Sequence, residues 1–223
     1  IGIALVWHIQ SNQISLKNIV SGKFSENPES SQYLKIAIIM LVSITCLSFV
    51  FQILQTSLPK TMDIRLSSSM DLGTSEIGYI VSAIYIVSGL MNYVGGILAD
   101  KFSEKIIYAI GIVGQGCLLL LIISLSNYWL IVLCLIIVAF NSSILPAENL
   151  LLARFAPEKY QSLVYGIKFI ISFSVGPIAL ILISKSYELT NEFSYLYLTS
   201  GVIMLLLFMV VLTLPVKKQT LAA

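Results

Sequence analysis

The feature that most constrains this chain is an uncharged stretch that runs from Ile106 to Ala147. A transmembrane α-helix needs about 20 apolar residues, because it rises about 1.5 Å per residue and the hydrocarbon core is about 30 Å thick. The stretch is too long for one crossing, and the polar tripeptide Ser126-Asn127-Tyr128 is the point at which it would break. It therefore predicts two consecutive membrane spans.

Four further apolar runs complete a predicted all-α, polytopic membrane protein with six transmembrane helices. The predicted spans form one bundle over residues 34–214 and cover 34–58, 77–98, 106–125, 129–152, 163–183 and 193–214. Composition agrees, since 57% of the residues are hydrophobic and 11% are charged, whereas soluble domains are roughly 45–50% apolar and about 25% charged. Transmembrane strands do not fit, because they would be about ten residues long with strict alternation.

The segments outside the bundle are predicted from their polarity and from how the chain opens. It begins without an initiator methionine, a basic segment or a small-residue cleavage site, so residues 1–9 are predicted to end a preceding, truncated membrane helix. Residues 10–33 are predicted to be a cytoplasmic linker, and residues 215–223 a cytoplasmic tail. Four apolar linker residues share helical spacing: Leu16, Ile19, Val20 and Phe24. They favour either a helix on the membrane surface or a disordered linker, and the sequence leaves both open.

The orientation follows from the distribution of lysine and arginine between the loops. Six crossings place both ends of the bundle on one side of the membrane. Nine basic residues fall on that side (Lys17, Lys23, Lys35, Lys101, Lys105, Arg154, Lys159, Lys217 and Lys218) and three on the other (Lys60, Arg65 and Lys185). By the positive-inside rule, both ends are predicted to be cytoplasmic, in a plasma (inner) membrane.

Polar side chains within the spans identify the candidate solute path, because such groups are costly unless they face protein or water. The candidates share faces of the first, second, fourth and fifth spans: Ser48, Gln52, Gln55, Ser82, Tyr85, Asn92, Asn141, Glu148, Lys168 and Ser172. The third and sixth spans carry few polar residues and are predicted to face lipid. The alternative is that these polar faces hydrogen-bond neighbouring helices and hold the bundle together.

Glu148 and Lys168 are the ionisable residues that lie well inside a predicted span. Each is ten positions from Glu158 in the connecting loop, so an antiparallel hairpin would bring them to the same depth. Pairing would make two buried charges tolerable, and the alternative is that both are hydrated near the ends of their helices. The Gly176-Pro177 dipeptide that follows is predicted to break the fifth span.

The segment from Gly95 to Lys105 resembles the signature loop of the major facilitator superfamily. In that pattern a Gly, a Leu, a small residue, an Asp and a basic residue are followed by a Gly and two basic residues. The matching residues are Gly96, Leu98, Ala99, Asp100, Lys101 and Lys105. Ser103 stands where the pattern has Gly, and Glu104 stands where it has a basic residue.

The resemblance implies a conformational gate formed by Gly96, Asp100, Lys101 and Lys105. Gly96 would let two helices approach closely, and Asp100 would accept hydrogen bonds from a helix N-terminus. The two lysines would keep the loop cytoplasmic. The family further implies that the first, second, fourth and fifth helices of each half border the cavity, in agreement with the polar faces above.

What the resemblance implies about function is a secondary transporter of a small solute that works by alternating access. The six spans would be the C-terminal half, with a missing N-terminal six-helix half and the lipid bilayer as partners. A six-helix channel or a non-transporting scaffold is the alternative. An intramembrane enzyme is disfavoured, because His8 is the single histidine and no nucleophile or metal constellation accompanies it.

The remaining partner classes follow from charge and cysteine usage. The net charge of +2 gives no basic field for nucleic acid. Cys46, Cys117 and Cys134 lie in apolar runs without paired spacing, so neither a disulfide framework nor a metal site is predicted. No cofactor is predicted.

Overall fold

The computed structural model describes residues 28–70, 72–156 and 160–214. The predicted helix end over 1–9, the surface-helix residues of the linker and the tail over 215–223 lie outside the described residues. The chain divides into two units, residues 1–35 and 36–223. Of the first, residues 28–35 are described, and they are helical. The second contains the helical bundle.

Six α-helices account for most of the described residues. They are α1 (Pro28–Met70), α2 (Thr74–Lys101), α3 (Glu104–Leu121), α4 (Tyr128–Phe155), α5 (Gln161–Thr190) and α6 (Ser194–Leu212), with a 3₁₀ turn (Ile122–Ser124) after α3. Each helix contains a segment long and apolar enough to cross a bilayer. Helices suit that environment because every backbone N–H and C=O is bonded within the segment. The predicted all-α fold with six potential membrane spans is confirmed.

Two asparagines help to set the helix boundaries. The predicted break after the third span is present, and Asn127 precedes α4 with φ of 65°. Asn191 ends α5 in the left-handed conformation, with φ of 54°, and its N–H donates to the carbonyl of Tyr187 at 2.8 Å. Asparagine tolerates the left-handed conformation better than most residues, so the reversal at Asn191 occurs at little steric cost. Asn127, with ψ of −156°, lies in a region that favours glycine and carries backbone strain.

Two helices continue through prolines at which the sequence indicated an end or a break. α1 runs beyond the predicted boundary at Leu58, through Pro59, as far as Met70. α5 continues through Pro177 to Thr190, so the predicted break at Gly176-Pro177 is wrong. A proline removes one backbone donor, and membrane helices tolerate this where neighbouring groups satisfy the freed carbonyl.

Glycines set the closest helix contacts around α4, which packs against both α2 and α3. A Cβ at Gly95 of α2 would lie 2.7 Å from the Cα of Ser143 on α4. A Cβ at Gly96 would have Pro146 as its nearest neighbour, at 4.0 Å. The close approach that was assigned to Gly96 therefore occurs at Gly95, because the adjacent residue points about 100° away around the helix.

Replacing Gly95 by alanine is expected to destabilise the bundle, whereas Gly96→Ala should be neutral or slightly stabilising. The first change forces backbone atoms of α2 and α4 apart, which typically costs about 1–3 kcal/mol. The second gains the helix propensity of alanine, up to about 1 kcal/mol. Thermal unfolding in detergent compares the two variants, and equal transition temperatures would contradict the assignment of the contact.

A buried polar stripe on α1 binds it to α3 and α6. The hydroxyl groups of Ser43 and Tyr108 are hydrogen-bonded. The Tyr197 hydroxyl lies 2.9 Å from the Ser57 hydroxyl and 2.6 Å from the Thr61 hydroxyl. All five residues are buried. This stripe has the interhelical role that was the alternative for the polar faces, but its members are different residues, which the sequence analysis missed.

Arg65 joins three segments at the end of the bundle where α1 finishes. Its guanidinium donates to the carbonyls of Ile122 (2.6 Å) and Leu125 (3.2 Å) and to Glu192 (3.1 Å) and Ser194 (3.0 Å). Glu192 lies between α5 and α6, and the hydrogen bond from Ser194, followed by the charge of Arg65, lowers its carboxyl pKa. The connections after α3 and α5 are thus fixed to α1 by one side chain.

Candidate functional site

A cavity of about 330 Å³ lies between α1, α2, α4 and α5. Its volume falls in the range of about 300–1,000 Å³ that is typical of small-molecule sites. The lining residues are Leu47, Ser48, Phe51, Gln52, Asn92, Asn141, Ile144, Leu145, Glu148, Asn149, Lys168, Phe169, Ser172 and Phe173. These come from the four helices that the sequence assigned to a path. Within the described chain, neither α3 nor α6 contributes to this lining.

Seven of the ten candidate path residues line this cavity. They are Ser48, Gln52, Asn92, Asn141, Glu148, Lys168 and Ser172. The structure does not bring the other three there. Gln55 is exposed beyond the cavity, and its backbone carbonyl accepts a hydrogen bond from the Tyr85 hydroxyl at 3.2 Å. Ser82 is exposed, and its hydroxyl donates to the carbonyl of Gly78 in its own helix.

Two of the lining residues also connect helices. The hydroxyl groups of Ser48 on α1 and Ser172 on α5 are 2.7 Å apart. The same residues thus border the cavity and hydrogen-bond across it, so the two interpretations of the polar faces are not exclusive. A solute that reached this depth would meet a hydroxyl pair that can exchange its mutual bond for bonds to the solute.

Glu148 of α4 and Lys168 of α5 form the predicted ion pair. Lys168 Nζ lies 2.8 Å from Glu148 Oε2, and the two side chains are 8% and 3% exposed. Lys168 Nζ also donates to Asn149 Oδ1 at 2.6 Å. The pair is therefore buried, and pairing offsets the high cost of burying either charge alone.

The other carboxylate oxygen of this pair lacks a partner. Glu148 Oε1 is buried and receives no hydrogen bond from the described residues. A buried acceptor left unsatisfied costs about 1–3 kcal/mol, and more when it is charged. Glu148, which lines the cavity, therefore keeps one strong acceptor whose hydrogen-bonding capacity the described residues leave unused.

The lining includes residues that the sequence analysis did not select. Asn149 follows Glu148 directly in the chain, so its amide was a detectable polar signal. Phe51, Phe169 and Phe173 gave none, because phenylalanine is equally common on lipid-facing surfaces. Phe169 and Phe173 stack with their ring centroids 6.4 Å apart, one helical turn from each other on α5.

The signature loop lies at the opposite end of the bundle from Arg65. The Lys105 ammonium donates to the carbonyl of Leu212 at 2.8 Å and to that of Leu214, both at the end of α6. A cation at a helix C-terminus is favoured by the helix dipole. Lys105 thus fixes α6 to the start of α3, a contact that the sequence analysis did not foresee.

Glu104, which departs from the family pattern, forms an ion pair in the structure. Its Oε2 lies 2.6 Å from Arg154 Nη1, which joins the start of α3 to the end of α4. Asp100 and Lys101 are exposed. Within the described chain, the Asp100 side chain makes no hydrogen bond to the N-terminus of α3. The contact expected for it is therefore not seen.

Six potential membrane spans, four of which line a small cavity that contains an ion pair, define a polytopic membrane protein of the carrier or channel class. Residues 34–222, which are most of the chain, match the family model of the Major Facilitator Superfamily. The chain therefore belongs to that superfamily and is a membrane transporter of the major facilitator type, embedded in the lipid bilayer with a small molecule as its substrate. Comparison with curated proteins found no match.

Proposed function

We propose that this chain moves its solute by alternating access and that the cavity between α1, α2, α4 and α5 is its contribution to the solute site. The observation that carries the proposal is the buried Glu148–Lys168 pair on the cavity wall. Ionisable residues at membrane depth are costly and are usually retained for transport. Transporter sites lie near the bilayer midplane, between two repeats that move against each other.

The proposed carrier has a second six-helix half, which would cover the cavity. Both ends of the bundle are proposed to be cytoplasmic, in a plasma (inner) membrane, on the basis of the nine-to-three distribution of basic residues. The signature loop would then be cytoplasmic, and Lys105 and the Glu104–Arg154 pair would act in its gate. A channel differs from this proposal in kinetics, because its flux does not saturate, whereas a carrier saturates and exchanges.

Cysteine accessibility tests whether the cavity is a solute path. In a background without Cys46, Cys117 and Cys134, cysteines at Ser48 and Gln52 are expected to react with a membrane-impermeant thiol reagent about ten-fold faster or more than one at Leu206. Leu206 on α6 is 63% exposed and would face lipid, where a thiol stays protonated and unreactive. Equal, slow rates at all three positions would contradict the proposal.

A further inference from the structure

Glu148 lines the cavity, and one of its carboxylate oxygens has no donor among the described residues. Glu148 Oε2 is bound by Lys168, whereas Oε1 is buried and unpartnered within the part of the chain that the structure describes. Lys168 already donates to two acceptors, Glu148 and Asn149. The charge of the pair is balanced, but its hydrogen bonding is not. A bound solute that supplied an N–H or O–H group would complete it.

We propose that the solute is an organic cation, in which a protonated amine binds Glu148 and an apolar body lies against the cavity phenylalanines. This inference rests on the proposed function, because it names the solute class of the same site. An ammonium group is favoured over a neutral donor, because hydrogen bonds between ionised partners are about twice as strong as neutral ones. Because Oε1 is buried, the Glu148 side chain would rotate toward the cavity, so that the amine and Lys168 take one oxygen each.

An anionic solute fits the same wall poorly. It would place a second negative charge beside the free Glu148 oxygen, and that oxygen would remain without a donor. Lys168 has one N–H left after its bonds to Glu148 and Asn149, so it could offer an anion a single contact. Like charges in a low-dielectric site repel strongly, and Lys168 repels an ammonium as Glu148 repels an anion. The ammonium alone supplies the donor that Glu148 Oε1 lacks.

The apolar body of the solute is inferred from the rings on the same wall. Phe51, Phe169 and Phe173 line the cavity, and Phe169 and Phe173 are 55% and 77% exposed. Exposed aromatic faces beside an unpaired carboxylate suit a cation with an attached hydrocarbon group. The rings would contribute apolar burial and an attraction to the positive charge.

Calorimetric binding with matched probes tests this inference on the purified protein in detergent. The probes are 2-phenylethylamine, which is protonated at neutral pH, and 3-phenylpropionate, an anion of similar size. We expect the affinity for the amine to exceed that for the anion by a factor of about ten or more. Lys168→Met should strengthen amine binding, since both oxygens of Glu148 then become available, while its unfolding temperature falls because the buried carboxylate loses its partner.

The role of the Glu148 carboxylate in amine binding is tested in a variant in which the net charge of the cavity wall stays the same. The double variant Glu148→Gln/Lys168→Met removes both charges together, so neither is stranded. It is expected to lose about ten-fold or more in amine affinity. Glu188→Gln serves as the matched control, because Glu188 is exposed on α5 away from the cavity, and it should bind the amine like the parent chain.

Two results would overturn the inference, and they are separable from failure of the proposed function. If 3-phenylpropionate bound more tightly than 2-phenylethylamine, and Lys168→Met abolished that binding, the solute would be an anion. The cavity would still be the solute site. Absence of saturable amine binding by a folded parent chain would also refute the solute class. The cysteine labelling at Ser48 and Gln52 decides independently whether the cavity is a path.

Discussion

Replacing Glu148 by glutamine or Lys168 by methionine alone is expected to destabilise the protein by about 3–5 kcal/mol, and replacing both to restore much of that loss. Each single change leaves a buried charge without its partner, since the two side chains are 3% and 8% exposed. The double change removes both charges and exchanges an ion pair for two neutral side chains of similar size. The net effect should therefore be small.

A double-mutant cycle on thermal stability measures this coupling. The Lys60–Asp63 pair provides a matched control, because it has the same 2.8 Å separation but side chains that are 51% and 29% exposed. Its coupling should be much weaker, as for most surface pairs, because water screens both charges. Additive effects of the Glu148 and Lys168 changes would mean that the two charges are independent. A double variant that folds but does not transport would indicate that the pair also takes part in binding.

Arg65→Gln is expected to cost about 2–4 kcal/mol, the second largest effect that the structure implies. The change withdraws donors from the part-buried carbonyls of Ile122 and Leu125, and an acceptor left unsatisfied away from water costs about 1–3 kcal/mol. The ion pair with Glu192 adds little, because that carboxylate is 44% exposed. The loss should therefore come from the connections after α3 and α5 becoming detached from α1.

Thermal unfolding of Arg65→Gln beside Lys185→Gln provides the comparison. Lys185 is an exposed lysine on α5, so its neutralisation should change stability by less than about 0.5 kcal/mol. Glu192→Gln should fall between the two, since it removes one partner of Arg65 and keeps the carbonyl contacts. A transition temperature for Arg65→Gln equal to that of Lys185→Gln would show that the four hydrogen bonds are not formed together.

The number of spans and the ion pair could be predicted from the sequence because they depend on one-dimensional quantities. A crossing needs a fixed length of apolar residues, so the six spans follow from the positions of charges and of the Asn127 turn. Glu148 and Lys168 are equally distant from the loop between their helices, which brings them to the same depth in any antiparallel hairpin. Neither inference required knowledge of how the helices are rotated.

The rotation of each helix is what the sequence did not determine. α1 carries two polar stripes that face different neighbours. Ser48 faces Ser172 on α5, and Ser57 faces Tyr197 on α6. These partners lie far away in the sequence, so the sequence of α1 does not reveal which stripe faces the cavity. For the same reason, the close helix contact was predicted at Gly96, whereas in the structure it lies at Gly95. Phenylalanines of the cavity wall were missed because an apolar residue facing a cavity and one facing lipid have the same sequence pattern.

Accessibility of Gln52 from both faces of the membrane tests alternating access through this cavity most directly. A cysteine at this position would be treated with an impermeant thiol reagent in right-side-out and in inside-out vesicles, with Leu206→Cys as the lipid-facing reference. The cysteine is expected to react from both faces, because the site opens to each side in turn, and to react more slowly from both when a bound solute fills the cavity. Reaction from one face alone, or a rate no higher than that of Leu206→Cys from either face, would contradict it.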